Sequence, residues 1–312
     1  MKLLLLSKEN IPLARGEAEA LLGKGTLDEN ILLINTNKTT DRLACTRLIA
    51  NVLFETTEKA LEKAITSFNW NKIIKKTFAV YFREDEAISQ SLSREYGGII
   101  YDELTKPEVN LSNPDSKILI FKTKNKIYVT LLEWENEENS TERSSKLWPS
   151  QRPITMKPKI TRACVNLTGA TKSIYDPMCG TGGFLIEAGL MGLKVTGSDN
   201  DDEMIKCSET NLKYYKIKNF KLFVKDGLKI TKDYDYIITD MPYGKNTKDI
   251  SDDLYPKFIK VLEKHVKKRA VLIFPDFANV EKLLKKSKLK IKAKYSHYLH
   301  KSLSREIFVM EK

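Results

Sequence analysis

At 312 residues the chain is longer than one average domain, so two or three folded units are expected. Its 41% hydrophobic and 30% charged residues suit a soluble globular protein with a core, and the run Leu3–Leu6 is too short for a signal peptide or a membrane span. The net charge of +12 comes from residues 151–312, which carry 32 basic and 19 acidic side chains against 21 and 22 in residues 1–150. This basic half favours a polyanion partner, nucleic acid first, although lysine-rich helix faces can also be merely solvated.

The first fifty residues alternate strand-like and helical patterns. Strands are predicted at Lys2–Leu6 and Ile31–Asn35, and helices at Leu13–Leu22 and in a stretch that reaches Leu53. This β-α-β-α pattern predicts a small N-terminal unit, residues 1–55.

A second unit is predicted over residues 56–135. Its predicted elements are a helix at Thr57–Ser67, a strand at Lys76–Arg83, a helix around Ala87–Glu95, and strands at Lys117–Thr123 and Ile127–Leu132. The last two strands are close enough to form a hairpin. The acidic, polar run that follows has no apolar period, which predicts a linker over residues 136–150.

From residue 151 to the end, strands alternate with helices. The predicted strands are Ser173–Tyr175, Lys194–Ser198, Lys221–Val224, Tyr234–Thr239 and Ala270–Phe274, and the helices between them include Phe184–Leu190, Glu203–Tyr215 and Leu254–Val266. Regular alternation over about 140 residues predicts an α/β fold with a doubly wound parallel sheet. Ligands of such sheets lie at the carboxyl ends of the strands.

The first of these strand ends carries a glycine-rich turn, D-P-M-C-G-T-G-G, at Asp176–Gly183. Glycines allow the backbone to turn sharply and approach a ligand, and the next helix points its N-terminus there. The turn lacks the Lys-Ser/Thr of a phosphate loop and is no clean G-x-G-x-x-G, which disfavours a dinucleotide. Asp176 would repel a pyrophosphate but attract an ammonium or a sulfonium, and S-adenosylmethionine carries both.

Two more acids stand at the next strand ends. Asp199 lies 23 positions after Asp176, where an acid can accept both hydroxyls of a ribose. Asp226, followed by Gly227, can accept from an adenine amino group. Each acid alone could be a helix cap or a turn residue. The three together predict S-adenosylmethionine binding.

The fourth strand ends in D-M-P-Y-G, residues 240–244. The exocyclic amino group of a base is a poor nucleophile because its lone pair is delocalised into the ring. Asp240 and the carbonyl of Met241 could accept its two N–H bonds and direct the lone pair at the methyl carbon, and the carboxylate could take the proton. Pro242 keeps Met241 out of the helical conformation, and Tyr243 offers a face for the base to stack on. A lone Pro-Tyr-Gly is more often a turn with a core tyrosine.

These motifs carry a family resemblance. The glycine turn and D-M-P-Y-G are typical of amino-group methyltransferases, and the whole chain resembles the THUMP-containing tRNA methyltransferases, most closely the archaeal tRNA (guanosine-10) N2-methyltransferases. The segments Y-G-G-I-I-Y-D-E-L (96–104) and V-N-L-S-N-P-D (109–115) are similar to the THUMP core. Arg152–Leu167 resembles the segment that covers the methionine end of the cofactor, and His300–Ile307 is similar to the closing strands. The family's usual string is Asp-Pro-Pro-Tyr, so Met241 departs from it.

The resemblance implies a ferredoxin-like N-terminal region, a THUMP RNA-binding domain and a Rossmann-like class I methyltransferase domain over residues 151–312. It implies methyl transfer from S-adenosylmethionine to N2 of guanosine 10 in tRNA, with a second methylation of that nitrogen as a further step. The implied catalytic residues are Asp240, Met241, Pro242 and Tyr243. The residues expected to bind the cofactor are Thr155, Pro158, Asp176, Cys179, Gly180, Thr181, Gly182, Gly183, Asp199, Asp226 and Gly227.

Partners and alternatives follow from the same features. The protein is expected to be a cytoplasmic monomer that binds tRNA and no membrane, with a small activating subunit left open. The four cysteines share no Cys-x-x-Cys spacing and His297 and His300 lack nearby acids or cysteines, so no metal site is expected. Alternative substrates are guanosine 6 of tRNA, ribosomal RNA, and DNA adenine, which the THUMP-like half disfavours. A non-catalytic RNA-binding module is disfavoured by the four intact acids.

Overall fold

The computed structural model describes residues 1–84, 87–151, 156–243, 254–278, 280–300 and 303–312. The chain forms two compact units, and their segments interleave near the N-terminus. The first unit contains Met1–Lys8, Leu22–Asp41 and Thr46–Asn136, and the second contains Glu9–Leu21, Arg42–Cys45 and Glu137–Lys312. None of the helices within the described ranges is long and apolar enough to cross a membrane.

A mixed sheet runs through the described part of the first unit. Its strands are β1 (Lys2–Leu6), β2 (Gly25–Asp28), β3 (Ile31–Ile34), β4 (Thr46–Thr56), β5 (Thr77–Glu84), β6 (Ala87–Ser89), β7 (Glu108–Val109), β8 (Ser116–Lys122) and β9 (Ile127–Glu135). Their order is β2-β3-β1-β4-β9-β8-β5-β6, with β7 beside β5. The helices of the N-terminal half are α1 (Ile11–Leu22), α2 (Leu61–Ser67) and α3 (Gln90–Asp102). The predicted hairpin of β8 and β9 is confirmed.

The helix predicted up to Leu53 is wrong, because this stretch is strand β4. Leu48, Ala50 and Val52 pack into the same core cluster, so the apolar residues repeat with the period of two that a strand requires. β4 pairs with β1 on one edge and β9 on the other, which satisfies the backbone groups on both sides. The predicted helix around residues 87–95 begins later, because Ser89 ends strand β6 and its side chain caps α3 by accepting from Leu92 N–H.

The second unit contains a sheet in which parallel strands are followed by an antiparallel pair. The strands are β10 (Ser173–Asp176), β11 (Lys194–Asp199), β12 (Phe220–Val224), β13 (Tyr234–Asp240), β14 (Val266–Pro275), β15 (Lys290–His300) and β16 (Leu303–Glu311). The helices are α4 (Pro158–Leu167), α5 (Gly183–Leu190), α6 (Asp202–Tyr214), α7 (Leu254–His265) and α8 (Glu281–Lys285). All five strands and the three helices predicted here are present.

The strand order of this sheet is β12-β11-β10-β13-β14-β16-β15. Strands β10 to β14 pair in parallel, whereas β16 is antiparallel to both β14 and β15. The chain moves outward from β10 to β12 and then returns to the other side of β10 as β13. A crevice for a ligand is expected at such a reversal, beyond the carboxyl ends of β10 and β13.

The segment predicted as a linker contains ordered structure. Short 3-10 helices span Ser140–Arg143 and Ser145–Leu147, and the buried Trp148 donates its indole N–H to the carbonyl of Arg143 at 2.9 Å. By its contacts this segment belongs to the second unit from Glu137 onward.

Candidate active site

A pocket of about 210 Å³ lies where β10 and β13 end. Six residues that the sequence assigned to the site line it, namely Asp176, Cys179, Gly180, Thr181, Gly183 and Asp240. Five lining residues were not predicted, namely Met156, Thr161, Met178, Phe184 and Met204. Met178 and Phe184 lie inside or directly after the glycine turn, so proximity to the motif was a signal for them. The crevice predicted by the strand order therefore coincides with Asp176, Asp240 and the glycine turn, whereas Asp199 and Asp226 are not among the residues that line the pocket.

The glycine turn has the geometry that only glycine adopts readily. Gly180 and Gly182 have φ angles of 51° and 91°, in the left-handed region. A Cβ on Gly182 would lie 2.6 Å from the hydroxyl oxygen of Ser208 on α6. The turn closes where Gly182 N–H donates to the carbonyl of Cys179 at 2.8 Å, and α5 starts at Gly183. The backbone can thus approach a ligand at the start of α5.

Asp176 is a buried carboxylate at the mouth of this turn, with 1% of its surface exposed. It accepts from Met178 N–H at 3.1 Å. Burial, helped by the nearby Asp199 and Asp240, raises its pKa to about 8, although the Met178 N–H and the Thr239 side chain act in the opposite direction. A cationic ligand in the pocket would favour the ionised form of Asp176, which fits the ammonium and sulfonium groups of S-adenosylmethionine.

Asp199 and Asp226 both have structural roles in the turns that follow their strands. Asp199 accepts from Gly180 N–H at 2.9 Å and from Asp201 N–H at 3.1 Å, so it holds the glycine turn, and burial raises its pKa. Asp226 caps a 3-10 helix by accepting from Leu228 N–H at 2.8 Å. The sequence analysis left open that each acid could be a turn or cap residue, and both residues have such a role. Their contacts with ribose and adenine stay predictions.

The remaining residues that were predicted to bind the cofactor, Gly227, Pro158 and Thr155, differ in how close they lie to the pocket. A Cβ on Gly227 would come within 2.9 Å of the Met178 side chain, which lines the pocket. Pro158 is buried as the first residue of α4 and does not line the pocket, although Met156 and Thr161, on either side of it in the sequence, do. Thr155 lies outside the described residues, as does Gly244.

Asp240 forms a three-membered cluster with Tyr243 and Arg305. The hydroxyl of Tyr243 donates to Oδ1 of Asp240 at 2.8 Å, and Nε of Arg305 donates to that hydroxyl at 2.6 Å. Nη2 of Arg305 lies 3.4 Å from Oδ2 of Asp240, and the guanidinium carbon is 5.7 Å from the centre of the Tyr243 ring. Arg305 belongs to β16 and is only 2% exposed. It was not among the predicted site residues, although it lies in the tail segment that resembles the family.

Burial and charge set the protonation states of this cluster. Burial raises the pKa of Asp240, and Arg305 and the Tyr243 hydroxyl oppose this rise, so that the pKa is about 6. Burial and the neighbouring carboxylate raise the pKa of Tyr243 above its usual range. At neutral pH Asp240 is therefore an ionised acceptor and Tyr243 a neutral donor.

Met241 and Pro242 continue the strand end. The Met241 side chain is 1% exposed and packs in the core with residues of α7, and its N–H donates to the carbonyl of Ile273 at 2.9 Å. The carbonyl of Pro242 accepts from the hydroxyl of Tyr255, also on α7, at 2.8 Å. Core packing therefore anchors position 241, where the family's usual string has a second proline.

Helix α4 is tied to α5 by buried charges. Glu187 of α5 accepts from Nε of Arg162 on α4 and from Nε of Arg143, both at 2.8 Å. Glu138 pairs with both arginines. Sequence reasoning missed this network, because its members are spread over positions 138 to 187. It holds α4, with the pocket residue Thr161, against the helix that follows the glycine turn.

Comparisons with known proteins identify the family of the chain. Residues 55–132 match the THUMP domain family, and residues 147–306, about half of the chain, match the family described as RMKL-like, methyltransferase domain. The tRNA (guanine(10)-N2)-dimethyltransferase of Pyrococcus abyssi is 36% identical over 260 residues, which are 79% of this chain and 78% of that protein. The protein of the same name from Methanothermobacter thermautotrophicus is 30% identical over an alignment of 334 residues that covers 99% of both chains.

The chain belongs to the THUMP-containing archaeal tRNA (guanosine-10) N2-methyltransferase family. The family resemblance seen in the motifs is thereby confirmed. A solved structure with the same overall fold is TrmN from Thermus thermophilus, with a TM-score of 0.51, 17% identity and coverage of 100% of this chain and 99% of that one. The predicted THUMP domain and Rossmann-like methyltransferase fold are confirmed for this family member, and the ferredoxin-like character of its first residues stays a prediction.

Proposed function

We propose that this protein transfers methyl groups from S-adenosylmethionine to N2 of guanosine 10 in tRNA. The observation that carries the proposal is the placement of Asp240, an ionisable acceptor at the edge of the pocket, one strand away from Asp176 and the glycine turn. The related proteins named above are tRNA (guanine(10)-N2)-dimethyltransferases, which supports the same substrate atom.

The pocket residues fit S-adenosylmethionine by charge and by shape. Asp176 would lie near the cationic methionine end, the amide groups of the glycine turn would face the ligand, and Asp199 and Asp226 would accept from the ribose and the adenine. Bound there, S-adenosylmethionine supplies a methyl group on a positively charged sulfur, which is a good leaving group.

The residues of the fourth strand end would prepare the guanine amine. Asp240 and the carbonyl of Met241 accept its two N–H bonds, which points the nitrogen lone pair away from both acceptors and toward the methyl group. As the C–N bond forms, Asp240 takes a proton from the nitrogen, which becomes acidic once methylated. Before this step the Tyr243 hydroxyl, which donates to Asp240 in the structure, must turn away so that the tyrosine ring can face the base.

Guanosine 10 is base-paired in folded tRNA, so it must be rotated out of the helix to reach this pocket. Such flipping costs a few kcal/mol and is offset by stacking and by contacts to the RNA backbone. The basic excess in residues 151–312 and the THUMP domain would supply those contacts.

The proposal is tested with unmodified tRNA and isotope-labelled S-adenosylmethionine. After digestion, we expect the label in N2-methylguanosine and N2,N2-dimethylguanosine from position 10. An Asp240→Asn variant is the control and should bind tRNA but transfer no methyl group. Label at guanosine 6, or in ribosomal RNA but not tRNA, would move the proposal to those substrates.

We further propose that the protein acts as a cytoplasmic monomer, and the sequence leaves open whether a small activating subunit is required. The prediction rests on the sequence, and light scattering of the protein with and without tRNA measures the mass directly. Activity of the purified single chain comparable to that in a cell extract supports the absence of a subunit, whereas activity restored only by the extract would contradict it.

A further inference from the structure

The last residue of strand β14 is a proline whose place in the sheet bears on the substrate amine. Pro275 is buried and ends β14, a central strand with β13 on one side and β16 on the other. Proline is rare in central strands, because it has no N–H to donate to the ladder. Its position therefore raises the question of which acceptor faces it.

The register between β13 and β14 answers this question. Asp240 pairs with Ile273, and Met241 N–H donates to the carbonyl of Ile273 at 2.9 Å. In a parallel ladder the next bond would run from the backbone nitrogen of residue 275 to the carbonyl of Met241. Alternate residues of a central strand turn their N–H groups to opposite neighbours, so the nitrogen of Pro275 faces β13. The nitrogen of proline carries no hydrogen, so it cannot donate a hydrogen bond to β13.

The pairing of the two strands stops at this point. Strand β13 ends at Asp240, whereas β14 continues to Pro275. The next carbonyl along the chain, that of Pro242, already accepts from the hydroxyl of Tyr255. The carbonyl of Pro242 is thus held by α7, whereas the carbonyl of Met241 faces Pro275, which has no N–H to donate.

We propose that Pro275 is a positioning residue, which keeps the Met241 carbonyl available for the guanine amine by withholding the ladder hydrogen bond. The inference rests on the proposed function, in which Met241 and Asp240 accept the two N–H bonds of that amine. A residue other than proline at 275 would present an N–H to that carbonyl and compete with the amine for it.

Two substitutions separate the missing N–H from the shape of the proline ring. Pro275→Ala removes the ring and introduces an N–H. Replacement of Pro275 by lactic acid through nonsense suppression removes the ring too and gives the same methyl side chain, but it has an ester oxygen where alanine has N–H. The two variants differ at the single group that the proposal concerns.

We expect the Pro275→Ala variant to lose about tenfold in single-turnover rate at saturating tRNA and cofactor, the factor that one competing hydrogen bond provides. The lactate variant should keep a rate near that of the wild type. Affinity for S-adenosylmethionine, measured by isothermal titration, should be unchanged in both. Equal losses in the two variants, or no loss in Pro275→Ala, would overturn the proposal. If the wild-type protein methylated a different amino group, guanosine 10 would be refuted as the target. The comparison of the alanine and lactate variants would still test the role of Pro275.

Discussion

Asp240 is held between two opposing influences, burial that disfavours its charge and Arg305 that favours it. Burial raises its pKa, Arg305 is the largest influence in the other direction, and the resulting pKa is about 6. Because the carboxylate must be ionised to accept from the amine, kcat/KM for tRNA at saturating cofactor should rise with pH and reach half its maximum near pH 6. In Arg305→Gln the midpoint should move upward, because the cation that lowers the pKa is gone.

A matched variant tests whether charge is the cause. Arg305→Lys keeps a cation on β16, so its midpoint should lie closer to that of the wild type than to that of Arg305→Gln. Rate measurements from pH 5 to 9 give the midpoints of all three proteins. A midpoint that is the same in all three proteins would show that Arg305 does not act through the charge of Asp240.

Tyr243 has a ring on which the base can stack and a hydroxyl that donates a hydrogen bond to the carboxylate of Asp240. In this structure the hydroxyl donates to Asp240 and accepts from Arg305. Tyr243→Ala should lower turnover far more than it lowers cofactor affinity, because it removes the stacking face, which is worth about 1–3 kcal/mol per base. Tyr243→Phe keeps the ring and should retain most of the rate. Single-turnover kinetics beside cofactor titration separates these effects, and a Phe variant as slow as the Ala variant would assign the role to the hydroxyl.

Helices α4 and α5 reach the pocket as a pair because buried charges join them. Glu187 is enclosed by Arg143 and Arg162, and its side chain is 3% exposed. Removing one partner of a buried ion pair leaves the other charges uncompensated, which costs about 3–5 kcal/mol. We expect Glu187→Gln to lower the free energy of unfolding by about 3 kcal/mol in urea titrations.

The exposed ion pair between Lys206 and Asp202 on α6 is the control for this substitution. Both side chains are more than half exposed, and such pairs contribute about 0–1 kcal/mol. Lys206→Ala should therefore leave the unfolding free energy almost unchanged. If Glu187→Gln proved equally mild, the network would be a by-product of packing and would not hold α4 in place.

The N-terminal helix α1 contributes to the unit that contains the pocket. Glu17 of α1 is fully buried and accepts from Asn166 on α4 at 2.7 Å and from the N–H groups of Ala44 and Cys45. Arg42 donates to the side-chain oxygen of Asn166 at 2.9 Å. The residues around α4 thus depend on segments that precede them by more than a hundred positions.

A fragment of residues 137–312 should accordingly not fold as the full chain does. It contains the match to the methyltransferase family but lacks α1 and Arg42–Cys45, which leaves the buried Asn166 without its partners. We expect the fragment to unfold at a lower urea concentration than the full chain, or to precipitate, when the two are compared by circular dichroism. A fragment with the stability of the full chain would show that α1 is dispensable for this unit.

Local patterns were enough to predict the catalytic half. The strands β10 to β14, the glycine turn and the four acids are read from short stretches, because strand ends, turns and helix starts depend on neighbouring residues. The stretch that became β4 shows where this fails. Its apolar residues Leu48, Ala50 and Val52 alternate as in a strand, and the ladders with β1 and β9 hold it in that conformation, so the helix prediction misread the period.

The sequence by itself determined which strand ends carry the acids. It also predicted a site for a cationic cofactor beside the exocyclic amino group of a substrate base. Only the tertiary structure decided what surrounds those acids. Arg305 reaches Asp240 from 65 positions away, and Asp240 pairs with Ile273 in the ladder between β13 and β14. Such contacts depend on how distant strands pair, and pairing minimises the free energy of the whole sheet, so no local stretch encodes it.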